Sequence, residues 1–264
     1  MFSGSFYLTD RFDAVPSVSL SEAATTFVNA VSSVFGTGTK ITKDITDFAT
    51  ITRLVIENLE GGYYSPKYHS TGDSRYSASG ETMFGIDRKA GGTINTTDAG
   101  SKFWAKIDQA QTGGRWPWNY IPPDPLRAEL VDLVIKIQEP EFNKALSKYV
   151  PDPAVQDIIK SDGRLLFNFV YAIWNGPGWF QGWGKIISDS YKKGNTSSEG
   201  LLRLFVARRI NNANVLRKGN AQNSLIAQGG HKIAGLVQIG PASSSGNPFA
   251  TAATNLGNTL TQLF

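Results

Sequence analysis

Along most of this chain the apolar residues return every three to four positions, and one central region breaks that rhythm. In "SLSEAATTFVNAVSSVFGTG", Phe27, Val28, Val31, Val34 and Phe35 fall on one helical face. Ser19 and Glu22 stand at capping-box spacing, and Gly36 marks the stop. A second helix is predicted from Asp44, as N-cap, to about Leu59, with Ile45, Phe48, Val55 and Leu59 at helical spacing. Gly61-Gly62 would close it with a left-handed C-cap. From Tyr63 to about Gly100 the pattern reads as loop and short strands, with "ETMFGID" as one small strand of a hairpin.

Helical periodicity then resumes. "DPLRAELVDLVIKIQEP" predicts a helix capped by Asp124, with Pro125 at its first position and its end at Glu139-Pro140. Asp152-Pro153 repeats that start in "DPAVQDIIK". "RLLFNFVYAIW" is apolar on nearly all sides, so it should be the central buried helix, broken afterwards by "NGPG". "SSEGLLRLFVARRINNANVL" is amphipathic, with Leu202, Phe205 and Val206 inward and Arg203, Arg208 and Arg209 outward or on a site wall. The fold class is therefore mainly α (α+β), with one small β-hairpin. The expected divisions are an N-terminal helical extension over 1–40, a main domain over 41–240 and a flexible uncharged tail over 241–264.

Composition narrows the chemistry. With 264 residues, 41% of them hydrophobic, the chain can bury a sizeable core. It has no cysteine, which removes disulfides and thiolate metal sites. Its two histidines, His69 and His231, argue against a histidine zinc site or a Ser-His-Asp triad, so neither metal nor cofactor is expected. "GPGWFQG" misses the dinucleotide fingerprint because it follows a helix, and no Walker loop is present. "MFSGSFYLTDRFD" has no signal-peptide pattern. The most apolar run, Leu165 to Trp174, is far shorter than the ~20 residues that span a bilayer.

Charge is uneven under a net +4. Residues 1–60 are acidic, whereas residues 184–240 carry nine Lys/Arg against two Asp/Glu. A basic half suits an anionic polymer, either nucleic acid or an anionic cell wall; a solvated basic helix face accounts for it equally well.

Glu60 is the candidate that stands out. A carboxylate at a helix C-terminus meets the negative end of the helix dipole, and partial burial beside Tyr63 and Tyr64 would add to the effect. Both oppose ionisation and raise the pKa, which is what a general acid needs to protonate a glycosidic oxygen near neutral pH. The plain alternative is an exposed glutamate that precedes a Gly-Gly stop.

"LEGGYYSP…GETMFGI" resembles the opening of phage muramidases of glycoside hydrolase family 108. These carry Glu-Gly-Gly-Tyr at a helix end, a polar loop, and then Gly-Gly-x-Thr-x-Tyr-Gly-Ile, which reads Ser79 to Ile86 here. "YAIWNGPGWFQGWGKII" resembles the family's later Asn-x-Gly-x-Gly helix end, with Asn175, Gly176 and Gly178 in place. The likeness covers roughly residues 45–220. Ser79 replaces the first glycine of the threonine signature, the loop before it is long, and residues 100–165 have no match.

The resemblance implies a lysozyme-like domain over 41–240 that cleaves the glycan backbone of peptidoglycan, with Glu60 as the acid. For the second carboxylate the candidates are Asp73, Glu81 and Asp87; Asp73 is slightly favoured, because phage lysozymes carry an aspartate in that loop. Thr82 would position water or the far face of the sugar. A lytic transglycosylase would need Glu60 alone. Sugar rings pack on aromatic faces, so Tyr63, Tyr64, Trp116, Trp118 and Trp179, with Asn175, are the expected substrate-binding residues. Peptidoglycan is the expected partner, with virion proteins or a membrane at the tail; nucleic acid is not. A virus-encoded lysin follows, virion-borne or released from the host cytoplasm, and the rivals are a non-catalytic virion protein on the same scaffold and a wall-binding module.

Overall fold

The computed structural model describes residues 41–65, 80–88, 97–174, 176–217 and 236–237. The expected N-terminal helix and the tail lie outside the described residues, as do His69, Asp73, Asn175 and His231. Among the described residues the elements run α1 (Phe48–Asn58), β1 (Thr82–Met83), β2 (Ile86–Asp87), α2 (Asp98–Ala110), α3 (Leu126–Tyr149), α4 (Pro153–Ser161), α5 (Gly163–Trp174), α6 (Pro177–Lys192) and α7 (Ser198–Arg217). The protein is thus mainly helical with one two-stranded antiparallel sheet. No described helix is long and apolar enough to cross a membrane.

Local chemistry moves several boundaries. Helix α1 starts after Asp47 rather than Asp44, because Asp47 Oδ2 accepts from both the backbone N–H and the hydroxyl of Thr50, at 2.7 Å each. Its end is not a left-handed glycine cap: Leu59 is the C-cap at φ −122°, and neither Gly61 nor Gly62 has positive φ. Gly62 is small for another reason. A Cβ there would lie 2.5 Å from the Tyr120 carbonyl oxygen.

Helix α3 also departs from expectation. Asp124 does not cap it, since Pro125 holds the N-cap position without a side-chain bond. Pro140 does not end it either. Pro140 sits on the exposed side, where water can meet the carbonyl left without an N–H partner, while buried Ile137, Phe142 and Leu146 hold the helix across the break. Helices α4 and α5 follow the sequence closely. Asp152 accepts from Ala154 N at 3.0 Å to start α4, and α5 is buried along nearly its whole length.

Two hydrophobic clusters meet across α1 and α3. The larger surrounds α5 and takes in α4, α6, α7 and the second half of α3. Phe180 lies at its centre, 5.1 Å from Phe169 and 5.9 Å from Phe142 between ring centroids. Each fully buried ring of this kind contributes roughly 2–3 kcal/mol of transfer free energy. Leu202, Phe205 and Val206 face inward as expected, but Arg203 does not face out. It is buried and pairs with Glu199, which also holds Arg164, while Arg164 is bonded to Asp162 at the start of α5.

The smaller cluster joins the hairpin residues Met83, Phe84 and Ile86 to Phe103 and Ile107 of α2 and to the first half of α3. Helix α1 contributes Ile51 and Val55 to the larger cluster and Ile56 to the smaller. Trp174, at the end of α5, packs against both. The C-terminus of α1 and the C-terminus of α5 therefore arrive together at the seam between the clusters.

Candidate active site

Glu60 leaves α1 at that seam, one residue beyond the C-cap, with its N–H still directed at Val55 O at 3.3 Å. From there the chain is stitched to two neighbours in turn. Tyr63 bridges antiparallel to Tyr120, and Tyr64 exchanges both backbone bonds with Thr82, at 2.8 and 2.9 Å. These bonds fix the distance along the backbone between Glu60 and the hairpin.

The hairpin is tighter than the sequence reading allowed. "ETMFGID" is not one strand but both strands and their turn, with Thr82 opposite Asp87 and Met83 opposite Ile86. Phe84 and Gly85 occupy the two turn positions with φ of 50° and 70°, the requirement of a type I′ turn. A phenylalanine in the left-handed region costs on the order of 1 kcal/mol. Burying its ring in the smaller cluster offsets that cost, and its carbonyl accepts from Trp174 Nε1 at 2.9 Å. Gly85 has no freedom to be anything larger. A Cβ on it would lie 2.5 Å from Glu60 Oε2 and would collide with the Trp174 indole.

The Glu60 carboxyl is thus seated between the hairpin turn and the Trp174 indole. Among the described residues neither a cation nor a hydrogen-bond donor meets it. Burial first, and the negative charge of Asp87 second, push its pKa up to about 7. The raised pKa expected at the helix end is present, but its main cause is loss of water, and its second is a carboxylate from the hairpin. Asp87 is itself partly buried, and burial raises its pKa against the lowering effect of a 2.7 Å bond donated by the Thr82 hydroxyl to Asp87 Oδ1.

Glu81 has a different setting. It is buried, and its carboxylate accepts from the Tyr63 hydroxyl at 2.5 Å and from Arg88 and Arg115. These partners outweigh burial and hold its pKa below the usual glutamate range. A carboxylate so committed ties the hairpin to the Tyr63 strand and to Arg115, and its lowered pKa makes it a poor acceptor for a substrate proton. Arg88 extends the tie to Asp108 of α2 and lies over the Trp104 ring, 5.1 Å from its centroid.

The aromatic candidates divide the same way. Tyr63 is fully buried and Trp116 nearly so, in an edge-to-face pair at 5.7 Å. Both are core residues rather than sugar platforms. Trp118 is 45% exposed and stands edge-to-face with the partly exposed Tyr64 at 4.9 Å. Asn119, at φ 56°, shapes this surface by accepting from Gly62 N at 3.0 Å. Trp179 is partly buried and packs on Trp183. Among the described residues no group of three His, Asp or Glu side chains is placed to hold a metal ion.

The structure therefore brings Glu60, Thr82 and Asp87 to one place, with Tyr64 and Trp118 on the adjoining strand and turn. On sequence grounds Asp73 was slightly favoured, and Asp87 was one of three carboxylate candidates. Its signal was present: a Phe-Gly turn with two residues on each side puts positions 82 and 87 opposite one another. No known protein family, curated protein or solved structure matches this chain.

Proposed function

We propose that the protein is a peptidoglycan-cleaving glycosidase of the muramidase type, with Glu60 donating the proton to the glycosidic oxygen. The observation that carries the reading is the seat of Glu60: a carboxyl between Gly85 and Trp174, with no partner among the described residues and protonated up to about pH 7. A structural glutamate would be matched to a cation, as Glu81 is. A carboxyl kept neutral and unmatched stores a proton that a leaving alkoxide can take.

The substrate class rests on two supports. The residues that resemble the phage muramidases, Glu60 to Tyr63 and Thr82 to Ile86, are the residues that build this seat. Trp118, exposed and paired with the partly exposed Tyr64, presents an aromatic face beside it suited to the C–H face of a pyranose. On this reading the protein is a virus-encoded lysin on a lysozyme-like scaffold. The test is digestion of purified peptidoglycan followed by mass spectrometry of the fragments. Wild type should release muropeptides and Glu60→Gln should not; equal release by both would end the assignment.

A further inference from the structure

Two features of the hairpin are not explained by an acid alone. Two-residue strands offer little sheet stability, yet their single polar cross-strand pair is Thr82 with Asp87, joined side chain to side chain at 2.7 Å. Among the described residues Asp87 has no cation beside it, in contrast to Glu81, which lies on the same hairpin and has two. Among the described residues the Thr82 hydroxyl is the hydrogen-bond partner of Asp87, and it occupies Oδ1. Donation fixes the hydroxyl hydrogen toward Asp87, so the lone pairs of Thr82 Oγ1 and the Asp87 Oδ2 atom remain as acceptors side by side.

Two acceptors side by side are the complement of a water molecule, which has two hydrogens to give. We propose that Thr82 and Asp87 hold the hydrolytic water and that Asp87 is the general base, making the enzyme an inverting hydrolase. The proposal rests on the reading of Glu60 as acid. In the step, the water oxygen forms a bond to the anomeric carbon while its proton passes to Asp87 Oδ2. The bond from that carbon to the bridging oxygen breaks, and the bridging oxygen takes the proton from Glu60. The β-linked strand yields an α-configured reducing end and a free hydroxyl on the leaving sugar, with one water consumed.

The same arrangement argues against the other two courses open to a glycosidase. A retaining enzyme would have Asp87 attack carbon itself, which leaves the water seat between Thr82 Oγ1 and Asp87 Oδ2 without a use in the first step. A transglycosylase needs no second carboxylate, and a partly buried aspartate with no cation among the described residues, whose charge falls on Glu60, would then destabilise the site without a role. Glu81 is excluded as the base by its arginines, and Asp87 is the carboxylate that the hairpin register delivers to the site.

The test follows the anomeric configuration of fresh products by NMR, the incorporation of labelled water oxygen, and the rates of variants on purified glycan strands. Wild type should give the α anomer first, with one labelled oxygen at the new reducing end. Asp87→Asn keeps the shape and the bond from Thr82 but cannot take a proton, so turnover should fall about 100-fold or more. Asp87→Ala supplied with azide should regain turnover and yield an α-glycosyl azide, a product no structural role would generate. A β anomer formed first, anhydro ends, or wild-type turnover by Asp87→Asn beside an inactive Glu60→Gln would overturn the proposal and leave Glu60 as acid. Wild-type protein that opens no glycosidic bond would overturn the muramidase reading and this one with it.

Discussion

Gly85 and Glu60 touch so closely that no side chain fits between them: a Cβ on Gly85 would stand 2.5 Å from Glu60 Oε2. The hairpin turn is therefore part of the wall that keeps water from the Glu60 carboxyl. Gly85→Ala should displace the carboxyl or the Trp174 indole and also strain a backbone at φ 70°. Lytic activity should fall at least tenfold, with a loss of stability on the order of 1–3 kcal/mol. Rate assays paired with thermal melts check both; full activity in a folded variant would show that the contact does not shape the site.

Glu81 gives the opposite expectation. Glu81→Gln removes the charge between Arg88 and Arg115 and weakens the acceptor of the Tyr63 hydroxyl. The cost should be roughly 2 kcal/mol, moderated because the Arg115 side chain is half exposed. Activity per folded molecule should stay within a few-fold of wild type. The stability difference has a pH sign. The Glu81 pKa is lowered by folding, so its contribution is present above the ordinary glutamate pKa and is lost as pH falls through the folded value. Denaturant titrations at neutral and at acid pH should show the gap between variant and wild type closing in acid.

Trp118 tests the sugar platform. Its ring is exposed and braced edge-on by Tyr64, so Trp118→Ala removes contact area without opening the core. Stability should change by less than about 1 kcal/mol. KM for glycan strands should rise several-fold with a smaller effect on kcat, because a stacking face binds ground state and transition state alike. Steady-state kinetics separates this from a structural role, which would show first as a lowered melting temperature.

How much of this was legible in the sequence follows from how local each signal is. The start of α4 at Asp152-Pro153 and the burial of α5 were readable, because a cap and an all-apolar helix declare themselves within a few residues. The raised pKa of Glu60 was legible in direction because a helix end, a glycine pair and a tyrosine coincide there, whereas its main cause, burial against the hairpin and Trp174, was not. Asp87 was not singled out: strands of two residues are too short for alternation, and only the register across Phe84-Gly85 reveals its partner. Tyr63 and Trp116 were misjudged because an aromatic ring serves a core and a sugar site equally well, and the choice is made by distant contacts from α2 and α3. Pro140 was read as a stop because its local effect is unfavourable, but buried residues on both sides of it keep α3 continuous.

Glu60 and Asp87 are coupled through pH. The folded pKa of Glu60 is raised from the usual glutamate range to about 7. A raised carboxyl pKa means that the native state holds the proton more tightly than the unfolded chain. Its stabilising contribution is therefore complete below the unfolded value of about 4.5 and is lost as pH rises through about 7. Glu60→Gln, permanently neutral, should match wild type near pH 4 and exceed it above pH 8 by on the order of 2 kcal/mol. Activity shares the same limb, since only the protonated acid can donate: wild-type kcat/KM should decline above about pH 7. Asp87 raises the Glu60 pKa through its charge, so the residual activity of Asp87→Asn should decline at a lower pH than wild type. Pairing melts with rate profiles across pH 4–9 reads both effects from the same variants. An unmoved upper limb in Asp87→Asn would separate the two carboxyls, and a Glu60→Gln protein less stable than wild type at pH 8 would mean that the glutamate is matched to a partner after all.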